Sequence, residues 1–197
     1  MKVLFFSFIV VVIDQLSKLF VKGFSIPFLN FSIHGMYEGQ RIPLLGDFFN
    51  ITLVENPGIA FGIDFGESFK FLIAFFSIIA GIGLVIYLYK SRKKIFSLRL
   101  AIALILGGAV GNLIDRIFYG IFYNYGPLFH GKVVDFFNLK FFNFFIFDKM
   151  FGSYVFNFAD VAVTSGVILL LFALNRQRNT ESSVNPVIEN YLAENKE

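Results

Sequence analysis

The stretch FLIAFFSIIAGIGLVIYLY, residues 71–89, decides the class of fold. It holds no Asp, Glu, Lys, Arg or His, and a helix needs about 20 apolar residues to cross the hydrocarbon core of a bilayer. Taken with its flanks it predicts a span over about 69–89. Three further stretches meet the same requirement, at about 3–21, 98–118 and 158–174. The composition agrees, since 56% hydrophobic residues, 30 Phe and only 16% charged residues are far from the usage of a soluble domain. The chain contains no cysteine, which excludes disulfides, thiolate metal sites and a Cys nucleophile. Its net charge of +3 comes from Lys and Arg gathered near the ends of the spans, which reads as an orientation signal and not as a nucleic-acid surface.

Lys2 before the apolar run Val3 to Ile13 resembles the start of a cleavable leader. Asp14, Gln15 and Lys18 follow, and no small-residue cleavage pattern does, so the run is expected to remain as a span. Four spans put both termini on one side. Lys90, Arg92, Lys93 and Lys94 crowd the short loop after the second span, and Arg176 and Arg178 follow the fourth. By density of positive charge these belong to the cytoplasmic face. Residues 1–175 then form one integral membrane domain, and 176–197 a polar cytoplasmic tail expected to fray from Asn175 onward. The long segments, about 22–68 and 119–157, face outward. Within them Phe48 to Val54 reads as a short strand, and Phe141 to Phe147 is so aromatic that it is expected to lie against the membrane interface.

Against this apolar background a few carboxylates stand out. Asp135 sits in Val133-Val134-Asp135-Phe136-Phe137, and Asp160 ends Phe156-Asn157-Phe158-Ala159-Asp160 as the fourth span begins. A carboxylate beside hydrocarbon is costly unless it is paired or used. Asn157 and Asp160 also fit an ordinary helix start, with Asn at the N-cap and Asp in the first turn. Asn112 and Asp115 repeat that spacing where the third span closes, but there Asp115 opposes the helix dipole and needs an ion-pair partner such as Arg116. Asp14 and Lys18 stand one helical turn apart, acid first, as a structural pair would. Gly107, Gly108 and Gly111 are explained by close helix packing. His34 and His130 lack ligand-like spacing, so no metal is expected, and no serine nucleophile elbow is present. Two converging Asp side chains cannot both ionise cheaply. They share a proton, and one can then act as base on a water while the other donates to a carbonyl. Such chemistry needs neither metal nor cofactor.

Five blocks occur in one order: Asp14-Gln15-Leu16-Ser17-Lys18, Asn56-Pro57-Gly58-Ile59-Ala60-Phe61-Gly62, Gly107 to Arg116, Val133-Val134-Asp135-Phe136, and Phe156 to Asp160. Together they resemble lipoprotein signal peptidase, or signal peptidase II, over about residues 8–175. The resemblance implies a bacterial inner-membrane aspartic endopeptidase, with both termini cytoplasmic and its site near the outer face. It would cut just before the diacylglyceryl-modified Cys of a prolipoprotein. It implies Asp135 and Asp160 as the catalytic pair, and Asn56, Gly58, Asn112, Asp115, Arg116 and Asn157 as supporting or substrate-binding residues. Asp14 and Lys18 would be structural. It further implies a monomer without cofactor, metal or nucleic acid, whose partners are the prolipoprotein and membrane lipid. The implied fold is an all-α membrane protein, a four-helix bundle carrying a small outer β-cradle and a short periplasmic helix. The stretches from Arg116 to Asp135 and from Asp135 to Asp160 are longer than in typical members. A proton-coupled transporter would instead need ionisable groups staggered through the membrane depth, and a non-catalytic scaffold would leave the five blocks unexplained.

Overall fold

In the computed structural model, which describes residues 2–58, 67–146 and 149–194, each apolar run is a helix. In chain order these are α1 (Leu4–Lys22), α2 (Glu67–Lys90), α3 (Phe96–Phe122) and α4 (Phe158–Glu194). Each carries a window long and apolar enough to cross a membrane. Helices cross as such because a backbone N–H or C=O left unpaired in hydrocarbon costs several kcal/mol, and a helix satisfies all of them internally. Their outer flanks are apolar, as lipid requires: Phe5, Phe8, Phe20, Phe76, Ile82, Leu171 and Phe172 are all more than half exposed.

The hub is α3. Of its apolar window 44% is buried, against 11% for α2 and 17% for α1. It packs most extensively on α4, then on α1, while α2 rests chiefly on α3. Small residues permit the approach: a Cβ added at Gly108 would run into the Ala159 carbonyl oxygen on α4. One apolar cluster, with Leu88, Leu98, Ile102, Leu106 and Ala173, fills the end of the bundle where α3 begins. At that end, too, α4 runs on as helix to Glu194 instead of fraying at Asn175. Once a span has formed the costly first turn, adding residues to it is cheap.

At the opposite end the connections form strands, so the all-α description is too narrow. A hairpin pairs β1 (Gly23–Ile26) with β2 (Phe31–His34), joined through a 3-10 turn at Pro27–Leu29. A four-stranded antiparallel sheet runs in the order β3 (Arg41–Leu45), β4 (Phe49–Asn56), β5 (Val133–Ile146), β6 (Lys149–Phe156). The run expected as a strand, Phe48 to Val54, is most of β4. Most of the aromatic run from Phe141 is the far half of β5 and pairs with β6; Phe147 lies outside the described residues. The short outer helix is not found among the described residues, where the 3-10 turn is the one helical piece outside the four long helices. Residues 59–66, which contain the end of the second block, lie outside the described residues.

The sheet sits on the bundle through Leu53, Tyr119, Val134 and Phe136, with Val21, Phe137 and Phe158 packed around them. Consecutive residues of β5 are buried, with Val133, Val134, Asp135 and Phe136 all at 5% exposure or less. A bulge between Ile51 and Val54 of β4 shifts the register so that Val54 lies opposite Asp135 and Asn56 opposite Val133. Bulges re-aim side chains at sites of this kind.

Candidate active site

The site begins with the first turn of α4. Asn157 and Asp160 cap it reciprocally. The Asp160 amide donates to Asn157 Oδ1 at 3.0 Å, and the Asn157 amide donates to Asp160 Oδ2 at 3.1 Å. Two of the helix's orphan donors are thereby satisfied, and the Asp160 carboxylate is held at the positive end of the helix dipole. Its other oxygen, Oδ1, accepts from Asn112 Nδ2 at 2.9 Å, so α3 grips it from the side.

Asp135 comes from the sheet and is 5% exposed. Its Oδ1 accepts from Asn157 Nδ2 at 2.7 Å and its Oδ2 from Asn56 Nδ2 at 3.3 Å. Asn157, wholly buried, thus joins the two aspartates directly. Burial, and after it the negative charge of Asp160, pushes the Asp135 carboxyl up to about 7; the hydrogen bonds from Asn56 and Asn157 only partly offset this.

The amide orientations follow from groups that can only donate. Lys18 Nζ donates to Asn112 Oδ1 at 2.8 Å, and an ammonium accepts nothing, so Asn112 must turn its NH₂ toward Asp160. The Asp160 amide fixes Asn157 in the same way. At Asn56 the Gly58 amide donates to Oδ1 at 2.8 Å, leaving Nδ2 to face Asp135. Gly58 has φ +98°, in the left-handed region where glycine carries no Cβ penalty, and this turn is what aims Asn56.

Beneath the pair lies a charged cluster with no exposure to solvent. Lys18 Nζ stands 2.8 Å from Asp14 Oδ2 and 2.8 Å from Asp115 Oδ2. With Asn112 Oδ1 this occupies all three ammonium protons. The partner of Asp115 is therefore Lys18 on α1, and not its sequence neighbour Arg116. Both acids also reach toward the site's framework. Asp14 Oδ1 accepts from the Ala159 amide of α4 at 2.9 Å, and Asp115 Oδ2 accepts from the Val134 amide of β5 at 3.2 Å. One cluster on α1 and α3 thus anchors the residues adjoining both Asp160 and Asp135. Gly111 makes room for it, since a Cβ there would fall 2.6 Å from Asp14 Oδ2. Arg116 Nη1 approaches the Asn112 carbonyl oxygen at 3.5 Å, and the Arg116 charge acts first on Asp115, with which it forms no direct ion pair among the described residues, and then on Asp135 and Asp160.

Three participants are absent from the expected site residues, although one of them, Gln15, belongs to the first block. Gln15 Nε2 donates to Asp115 Oδ1 at 2.8 Å and to the Gly111 carbonyl at 3.0 Å, and its Oε1 accepts from the Tyr119 hydroxyl at 3.2 Å. Lys22, at the end of α1, pairs with Glu55 at 2.6 Å and lies 4.0 Å from the Tyr123 ring centre. That pair pins the strand residue next to Asn56. The signal for Gln15 was its place between Asp14 and Lys18, a polar residue in an apolar run. For Glu55 it was adjacency to Asn56. Beside Asp160 a cleft of about 230 Å³ opens between Leu139, Tyr154 and Phe156 of the sheet and Val161, Thr164 and Ser165 of α4.

A pair of aspartates bridged by one buried asparagine, at one end of four apolar helices, defines a polytopic membrane protein with a paired-carboxylate site. The comparisons narrow the class. The model of the signal peptidase II family matches residues 6–176. A lipoprotein signal peptidase of Desulfitobacterium hafniense is 35% identical over 177 residues, spanning 88% of this chain and 95% of the relative. Another, from Caulobacter vibrioides, is 35% identical over 168 residues, spanning 83% and 80%. A bacterial membrane enzyme solved by the in meso method at 2.3 Å superposes with a TM-score of 0.63 at 30% identity, covering 91% of this chain and 90% of the other. A second, at 1.9 Å, gives 0.60 at 31% identity, covering 88% and 92%. The chain belongs to the signal peptidase II family, the lipoprotein signal peptidases, and is a membrane peptidase.

Proposed function

We propose that the chain removes signal peptides from diacylglyceryl-modified prolipoproteins, cutting on the amino side of the lipidated Cys with a water activated between Asp135 and Asp160. The observation that carries this reading is the Asn157 bridge, in which one buried residue ties the two carboxylates, its side-chain amide donating to Asp135 and its backbone amide to Asp160.

The two acids differ in environment, and this divides their roles. Asp135, raised to about 7 by burial and by Asp160, carries the shared proton. Asp160, at a helix N-terminus with one backbone and one side-chain N–H on its oxygens, is the base. The Asp160 carboxylate takes a proton from the water as its oxygen bonds to the scissile carbonyl carbon. Asp135 gives its proton to the carbonyl oxygen, producing a neutral tetrahedral diol. Asp160 then passes the proton it received to the Cys nitrogen, the C–N bond breaks, and a diol hydroxyl returns a proton to Asp135. One water is consumed, and no covalent enzyme intermediate forms. The pair works as one proton-sharing unit, so its titration belongs to both residues.

The apolar cleft beside Asp160 suits a substrate whose cleaved bond lies between an apolar signal segment and a lipid-bearing Cys. The density of Lys and Arg between α2 and α3 orients that end of the bundle to the cytoplasm and the aspartates to the outer face of the inner membrane. The four-stranded sheet then forms a cradle on the outer side. The test is selective cleavage: purified protein in phosphatidylglycerol-containing proteoliposomes should process a diacylglyceryl prolipoprotein and leave its Cys→Ser, unlipidated form intact. Equal cleavage of both, or of neither, would refute the assignment.

A further inference from the structure

At the end of the bundle far from the aspartates, positive charge from two distant parts of the chain meets in one crevice. Its larger lobe, about 650 Å³, is lined by Lys93, Lys94, Phe96 and Ser97 where α2 passes into α3, and by Arg176 and Gln177 of α4. An adjoining lobe of about 410 Å³ adds Lys90 and Arg178, and shares Lys94 and Gln177 with the first. Both volumes lie in the range of small-molecule sites. The walls are two-toned: Leu98 and Leu174 line the smaller lobe, and Ile95 and Phe96 the larger. No Asp or Glu lines either lobe among the described residues. The crevice lies where α2 ends at Lys90, α3 begins at Phe96 and the fourth apolar span closes at Arg178, which is the depth of lipid headgroups.

Orientation signals alone require only that Lys and Arg be near the membrane end. They do not require residues about eighty positions apart to line one cavity with an apolar floor. Basic pockets between spanning helices on the cytoplasmic side are suited to anionic headgroups, where lysines supply charge to a phosphate and the floor receives the first carbons of the acyl chains. We infer that this crevice binds the phosphodiester headgroup of an anionic phospholipid, such as phosphatidylglycerol, with Lys94 at the junction of its two lobes. Ser97 and Gln177 add polar groups to the same wall, suited to headgroup hydroxyls. The leaflet rests on the orientation proposed above, but the binding does not.

Lys94→Gln is compared with Arg92→Gln, which removes the same charge from the same loop at a residue that lines neither lobe and lies over the Tyr89 ring. Enough Lys and Arg remain in each variant to hold the orientation. Affinity is read by native mass spectrometry and thermal shift of the detergent-solubilised protein, titrated with phosphatidylglycerol, phosphatidylcholine or inorganic phosphate. The wild type should retain phosphatidylglycerol and not phosphatidylcholine. Lys94→Gln should weaken that binding about fivefold, Arg92→Gln less than about twofold, and Lys94→Arg should restore most of it. Equal losses in Lys94→Gln and Arg92→Gln would reduce the effect to diffuse attraction and overturn the site. Binding of inorganic phosphate as tight as that of the lipid would overturn its assignment to a phospholipid. Both Gln variants should cleave prolipoprotein at the wild-type rate. Absence of cleavage in every protein, with lipid selectivity intact, would count against the peptidase mechanism and leave this site standing.

Discussion

Replacing Asp135 by Asn should change how stability depends on pH, and by an amount the site dictates. Burial and the neighbouring Asp160 move the Asp135 carboxyl from 3.8 to about 7. At 1.36 kcal/mol per unit, that shift of about 3 units corresponds to about 4 kcal/mol between the protonated and ionised folded states. The sign follows from the direction. A carboxyl raised on folding contributes its stability fully below about pH 4, and loses it as pH rises through about 7. The wild type should therefore melt at progressively lower temperature between pH 5 and pH 8.5. A carboxamide cannot ionise, so the Asp135→Asn variant should lack that part of the slope. The introduced NH₂ would face the Asn56 NH₂ across the present 3.3 Å contact, a pH-independent penalty of about 1 kcal/mol. The variant is then less stable than wild type below about pH 4.5, where Asp135 is protonated whether folded or unfolded, and more stable at pH 8.5. About 2 of those units, or about 3 kcal/mol, fall above pH 5, so at about 2–4 °C per kcal/mol for a chain of this size the difference between the two melting temperatures should change by roughly 5–11 °C across that range. Circular dichroism at 222 nm on protein in detergent micelles reads this directly. Parallel pH dependence in the two proteins would show that Asp135 is not raised, and would remove the basis for calling it the acid. In Asp160→Asn the second cause of the shift is gone, so the same slope should remain but move to lower pH.

Other outcomes follow from the cluster under the pair. Lys18→Met strands Asp14 and Asp115 without their cation in the interior and should cost about 3–5 kcal/mol, seen as a large drop in melting temperature; an unchanged midpoint would contradict the charged cluster. Gly111→Ala places a methyl 2.6 Å from Asp14 Oδ2 and should cost about 1–3 kcal/mol with partial loss of cleavage, whereas Ala at Gly83, which has open space around it, should be close to neutral in the same melting assay.

The spans were legible because hydrocarbon admits little else than long apolar helices, and residues 71–89 suffice to announce one. The first two ended one residue further out, at Lys22 and Lys90, since long basic side chains can close a helix just beyond its apolar stretch. The sheet was harder to read. Strand β4 carries β-branched residues, but Val133 to Phe136 are buried in succession, so the alternation that marks a half-buried strand is missing. The polar composition after Asn175 argued for fraying and hid the continuation of α4 to Glu194. Within the site, the local geometry of Asn157 and Asp160 could be anticipated from their spacing, because a cap is a short-range device. The partner of Asp115 could not. Lys18 is separated from it by most of two spans, and the adjacent Arg116 offered a nearer but wrong choice. Gln15 is in the same position, since its contacts on α3 exist only after α1 and α3 have packed.

The role of the two aspartates is tested most directly by single-turnover cleavage of a diacylglyceryl prolipoprotein by Asp135→Asn and Asp160→Asn, each shown to be folded and membrane-inserted. Cleavage should be lost in both, because neither remaining carboxylate can be acid and base in the same step. Wild-type cleavage by either variant would contradict the mechanism.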